Sequence, residues 1–210
     1  MSEQTGEPGK KILSARRKAS KCRGRQAGKR RHLGVFEKET EKMLRPSQVD
    51  FYAKKAESKN YRFRTWLKMN ADPVDLDNQF LRLHEELFPS YDCSRCRNCC
   101  KQYTGGIPAE DVEKDAAYLQ MSVETFKEMY LEPVTDPETG SFATKHKPCD
   151  FLTDQGECKL GDHIPQNCVD FPYTNKPDRM GSLLSFLGAV SVCPVAYEIC
   201  ERLKEHYHFQ

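Results

Sequence analysis

The chain has 210 residues, of which 38% are hydrophobic and 30% charged, with a mean hydropathy of −0.77, a lean allowance for a large apolar core. No stretch approaches the roughly 20 apolar residues of a membrane-spanning helix. The net charge of +2 conceals an asymmetry: residues 1–35 carry eleven Lys/Arg against Glu3 and Glu7, a surplus of nine, which leaves the following 175 residues at −7.

That basic stretch is rich in Gly, Ser and Ala and has no apolar periodicity, so it cannot bury enough surface to offset its chain entropy. Residues 1–45 are therefore expected to be a disordered tail, with Cys22 a free thiol, and residues 1–35 a candidate anchor for nucleic acid or another polyanion. Lacking interleaved aromatics and any groove-reading module, the same residues also read as a solvated extension. No apolar run of the kind that directs secretion lies among them, which predicts a reducing, cytoplasmic setting.

Residues 46–71 follow Pro46 with Phe51, Tyr52, Tyr61, Phe63, Trp66 and Leu67 among many charges, and are expected to form a helical linker. At Asp72-Pro73 a capping residue precedes proline at the first helical position. Leu76, Phe80, Leu83 and Leu87 then recur at helical spacing until Pro89, predicting a helix that delivers the chain into a cysteine cluster. Beyond the cluster, Gly105 and Gly106 mark a loop. Helices are expected over Ala109–Leu119 and after Ser122, with Val123, Phe126 and Tyr130 on one face. Residues 133–140 read as a turn-rich connection. Phe142–Leu160 reads as a hairpin around Asp154-Gln155-Gly156 with Cys149 and Cys158 on its arms, and Cys168 falls in an irregular Pro-bearing loop. Met180–Leu187 and Pro194–Tyr207 close the series as helices, the last with Cys193 at its N-cap and Val195, Ile199 and Leu203 inward. The expected fold is α+β: a small, mostly helical domain with a short β-hairpin over residues 72–210, organised around a multi-cysteine metal centre.

The chemistry lies in the ten cysteines. Cys93, Cys96, Cys99 and Cys100 occupy eight consecutive positions, and Cys149, Cys158, Cys168 and Cys193 follow. Thiolates so crowded repel one another unless a cation holds them together. A disulfide scaffold would need an oxidising compartment, and the adjacent Cys99 and Cys100 could pair with each other only through a strained ring. The two-residue gaps let a loop fold round one ion while its N–H groups turn to the sulfurs. Cys100 leaves the backbone in a different direction from Cys99 and is expected to face a second site. Three thiolates plus a remote Cys-Pro resemble the ferredoxin pattern. On that basis Cys93, Cys96, Cys99 and Cys193 form one set and Cys100, Cys149, Cys158 and Cys168 the other.

Metal bound there would also supply folding free energy, on the order of 10 kcal/mol for structural zinc in peptides. A four-thiolate zinc site and an oxidised four-iron cluster both carry a charge of about −2. Arg95, Arg97, Lys101, Lys147 and Lys159 would offset either, so zinc and iron both stay open, with the balance toward zinc. Cys200 lies at core-facing spacing with Ala196 and Leu203 and reads as a buried apolar thiol. His146 and His163 lie near cysteines but are not needed if eight thiols suffice. No nucleophile elbow, P-loop or dinucleotide fingerprint is present.

The run Asp92-Cys93-Ser94-Arg95-Cys96-Arg97-Asn98-Cys99-Cys100-Lys101, with Lys147-Pro148-Cys149-Asp150-Phe151-Leu152, Cys158 and Cys168-Val169-Asp170-Phe171-Pro172, resembles the YkgJ-type CxxCxxCC cysteine-cluster family, described as zinc- or iron-chelating domains. The resemblance covers residues 72–206. It implies metal binding by Cys93, Cys96, Cys99, Cys100, Cys149, Cys158 and Cys168, with Cys193-Pro194 similar to a later Cys-Pro in some members. Where many members carry arginines around the last motif, this chain has Ile164 before Pro165 and Val169 after Cys168. A similar cluster in flagellin lysine methylases raises a methyl-transfer reading, although no cofactor domain is evident here. Three functions are carried forward: a metal-chelating module without catalysis of its own, an iron–sulfur redox or group-transfer protein, and a zinc protein held to nucleic acid by its basic tail.

Overall fold

The computed structural model describes residues 43–134 and 142–210. The expectations for the tail, up to residue 42 and including Cys22, and for most of the turn-rich connection lie outside the described residues.

Helix α3 (Pro73–Leu87) starts where Asp72 caps it: Oδ1 accepts from the N–H groups of Val74 (3.0 Å) and Asp75 (2.9 Å), and Pro73 occupies the first turn, where no N–H is needed. Its apolar stripe of Leu76, Phe80, Leu83 and Leu87 is buried against α9 (Arg179–Val190) and α10 (Pro194–His206). Phe80 meets Phe186 edge to face at 4.7 Å, and from α10 come Val195, Ala196, Ile199, Cys200 and Leu203. Truncating a fully buried Phe80 to alanine would cost about 3–5 kcal/mol.

Residues 46–71 form helices as expected, α1 (Pro46–Lys55) and α2 (Glu57–Asn70), but they do not behave as a linker. Phe63 and Leu67 of α2 are buried in the same core as α3, α9 and α10, and Trp66 packs with Tyr207 and Phe209. The aromatic residues win over the surrounding charges because those charges sit on the outer face.

A second, smaller core gathers Ile107, Val112, Ala116, Phe126, Leu131, Phe151 and Leu160. It lies under α6 (Val112–Tyr118), entered through a 3-10 turn at Ala109–Asp111, and α7 (Val123–Tyr130), whose cap Ser122 accepts from the Thr125 N–H at 3.1 Å. Three short antiparallel strands border it: β1 (Gly106–Ile107), β2 (Leu131–Pro133) and β3 (Phe142–Thr144), in the order β1-β3-β2. Ile107 faces Phe142, and Leu131 faces Thr144.

The hairpin expected over Phe142–Leu160 is corrected here. Thr144 ends the strand, because Pro148 has no N–H to give a ladder and Asp150 draws the chain into a bend, accepting from the His146 backbone N–H at 3.0 Å. The tight turn at residues 154–156 is present, with Gly156 at φ 83° and a single bridge between Leu152 and Cys158. Cys168 likewise lies in a short helix, α8 (Gln166–Asp170), rather than an irregular loop: its N–H donates to Pro165 at 2.9 Å, and Gln166 bonds Asp170 one turn on. Among the described residues, no helix is long and apolar enough to cross a membrane.

Candidate metal centre

The cysteine cluster folds as two single-turn helices, α4 (Cys93–Cys96) and α5 (Asn98–Gln102), joined at Arg97. Asp92 caps α4 by accepting from the Ser94 and Arg95 N–H groups. Arg97 takes the left-handed conformation (φ 49°, ψ 20°), ending one helix and opening the next at a new angle. Its Nε donates to the Gly156 carbonyl at 3.1 Å, tying the cluster to the 154–156 turn. The buried Asn98 donates to the Val192 carbonyl at 2.6 Å, beside Cys193, and to Pro46 at 3.4 Å. Short helices too small to be stable alone are thereby held from both sides.

Through these anchors Cys93, Cys96, Cys99, Cys100, Cys149, Cys158, Cys168 and Cys193 all line one cavity of about 400 Å³. Cys149 is drawn in by its N–H, which donates to the Cys100 carbonyl at 2.7 Å. Gly105 lets it approach, since a Cβ there would stand 3.3 Å from the Cys149 sulfur. The Thr144 hydroxyl lies 3.8 Å from the same sulfur. Cys193 arrives as the N-cap of α10. The remaining wall mixes apolar residues such as Ile107, Phe151, Leu160 and Val192 with polar ones, Arg97, Asn98, Thr104 and Asn167 among them. Cys93 and Cys168 are exposed and Cys193 is buried.

All nine described cysteines are unpaired. Cys200 is outside the cavity, fully buried in the helical core with its sulfur 3.9 Å from Asn60 Oδ1, as its spacing predicts. His146 is exposed and bonded to Asp150 at 2.7 Å, and His163 stacks on Tyr118 with ring centres 4.3 Å apart; neither lines the cavity. Among the described residues, no three His, Cys, Asp or Glu side chains are gathered closely enough to hold one ion. The thiols stand around the walls instead. Cys99 and Cys100 do not diverge as their adjacency suggested: their sulfurs are 3.9 Å apart.

The electrostatics follow this layout. The hydrogen bond between Cys99 and Cys100 lowers the Cys99 pKa, and burial opposes it; the same bond, then burial, pushes Cys100 up. Burial first, then Cys149, Cys100 and Cys158, push Cys168 up to about 12. Burial likewise raises Cys193 to about 12; backbone N–H groups of α10 pull it down, and Cys93 and Cys96 push it up further. Burial and then Cys96 raise Cys93; burial raises Cys158, with Cys149 and Cys100 adding to it. Cys193 and Cys96 also press on Cys99. The Arg97 guanidinium opposes these penalties, easing Cys93, Cys100 and Cys158.

Burial and like-charge neighbours raise the pKa values of Cys93, Cys100, Cys158, Cys168 and Cys193, and a soft cation would offset both penalties at once. Eight unpaired thiols in one partly apolar cavity are a donor set that fits zinc or iron. Residues 92–193 match the model of the CxxCxxCC family, described as "Putative zinc- or iron-chelating domain". All eight cavity cysteines fall inside the match. No curated protein and no solved structure matches the chain.

The spacing of the cysteines shows in the sequence, but three other wall features do not. They are the left-handed Arg97 bridging to Gly156, Asn98 clamped to Val192, and Tyr91 just ahead of Cys93.

Proposed function

We propose that this domain is a metal-chelating module in which the eight cavity cysteines bind zinc or iron as two four-thiolate sets, Cys93, Cys96, Cys99 and Cys193 beside Cys100, Cys149, Cys158 and Cys168. The observation that carries the reading is the convergence of all eight cysteines, from five separate stretches of chain, on one cavity while Cys200 stays in the core. Bound metal would draw the sulfurs inward and join the α4–α5 cluster, the 149–168 segment and the start of α10.

Elemental analysis of protein purified without oxygen tests this. About two zinc ions per chain, or iron with sulfide, is the expected result, and a chain free of both overturns the proposal. Cys96→Ser should lower bound metal, and full retention would remove Cys96 from the ligand set.

A second reading, an iron–sulfur redox or group-transfer protein, is favoured by the dispersal of the thiols around a cavity of about 400 Å³. A multi-atom cluster needs its thiolates farther apart than a single ion does. Iron and sulfide in equal amounts, with visible absorption, would select it; zinc without colour would select the first.

A further inference from the structure

Three tyrosines line the thiol cavity: Tyr91, Tyr103 and Tyr173. Two of their hydroxyls are spent on the backbone, Tyr103 donating to Gly188 at 2.5 Å and Tyr173 to Asn167 at 2.9 Å. The Tyr91 hydroxyl is buried and has no hydrogen-bond partner of good geometry. Its ring is fixed by the turn at Phe88–Ser90, where the Tyr91 N–H donates to Phe88 at 2.9 Å, and by packing against the helical core. The group facing the hydroxyl is the Cys96 thiol, with Cys193 and Cys93 close by.

A buried donor left unpaired is unusual, and a neutral thiol accepts a hydrogen bond only weakly. A thiolate accepts strongly, and partners of this kind fix and tune metal ligands. We propose that the Tyr91 O–H donates to the Cys96 thiolate once that sulfur is a metal ligand, making Tyr91 a positioning residue that orients Cys96 and slows its detachment. The proposal rests on the chelating function above. Tyr91 would then be the contact of the first thiolate set that strengthens when the sulfur becomes charged, whereas the hydrogen bonds of Tyr103 and Tyr173 are already made on the backbone.

The test uses the full chain loaded with zinc and, separately, with cobalt(II), comparing wild type, Tyr91→Phe and Tyr103→Phe. Tyr91→Phe keeps the ring and its packing. It should bind the same amount of metal yet transfer zinc to excess EDTA roughly tenfold faster. It should also move the cobalt–thiolate charge-transfer band to longer wavelength, because a sulfur without its hydrogen bond is the better electron donor. Tyr103→Phe should leave the band where it is. Faster transfer with an unmoved band would mark a packing role and overturn the proposal, as would a variant matching wild type in both readouts; in either case the chelating function would stand. A wild-type chain that takes up neither metal overturns both.

Discussion

Cys193 and Cys200 lie seven residues apart at the start and middle of α10, yet they belong to different environments. Cys193, at the N-cap, lines the cavity, while Cys200, two turns on, points into the core between α2 and α3. Cys200→Ala should leave metal content unchanged and cost about 1 kcal/mol for the small void it opens, measured by denaturant unfolding beside elemental analysis. Asp115 is a second residue whose surroundings set its behaviour. It is fully buried in α6 with both carboxylate oxygens unpartnered. Burial and then Asp111 raise its pKa, while Lys114 and His163 act in the opposite sense. Because the folded-state pKa is the higher one, Asp115 contributes its stability below the unfolded value of about 3.9 and loses it as pH rises through the folded value. Asp115→Asn should therefore be more stable than wild type at pH 7, by about 1 kcal/mol, with the margin narrowing toward pH 4. Equal margins at both pH values would show that the carboxylate is not held in this way.

At the scale of elements, the helices were legible wherever a cap and an apolar period agreed. Asp72-Pro73 ahead of Leu76, Phe80, Leu83 and Leu87 announces α3, and Ser122 ahead of Phe126 announces α7. What misled was local competition invisible to periodicity. Residues 142–160 alternate well enough for a hairpin, but Asp150 captures the His146 N–H and Pro148 interrupts the ladder, so β3 pairs with β1 and β2 instead. The docking of α2 was hidden because its charged positions outnumber Phe63 and Leu67, although those two, with Asn60 and part of Trp66, face the core. At the site, ligand-type residues could be read from the sequence because clustered cysteine has few other uses. The parts that aim them could not, since the left-handed Arg97 and the clamp of Asn98 depend on partners some 60 and 95 residues away. Asn98→Ala removes the bond to Val192 and leaves that carbonyl buried. It should lower stability by about 1–3 kcal/mol in thermal unfolding, and a change within 0.5 kcal/mol would show that α5 is held by other contacts.

For the whole molecule, the two cores share the cavity wall: Cys193 comes from the helical core, and Phe151 and Leu160 from the smaller one. Metal held there would bind only the folded arrangement, so stripping it with a chelator should lower the melting temperature, by several degrees or more. No change would mean that the cores alone sustain the fold. The surplus of nine positive charges in residues 1–35 gives a separate expectation. Association with RNA or another polyanion should weaken steeply with salt and vanish on deleting those residues, with metal content unaltered. Binding that survives the deletion would place the contact elsewhere.

The wall also has an order of assembly. Cys93 and Cys193 are one hundred residues apart in the chain, so at ribosomal rates the CxxCxxCC turn emerges roughly 5–20 s before the cysteine that faces it. During that interval neither α9, which anchors Asn98 through Val192 nearby, nor the start of α10 is available to shelter the thiols. The nascent chain, rather than the finished protein, is then the form most open to oxidation or to capture of the wrong cation.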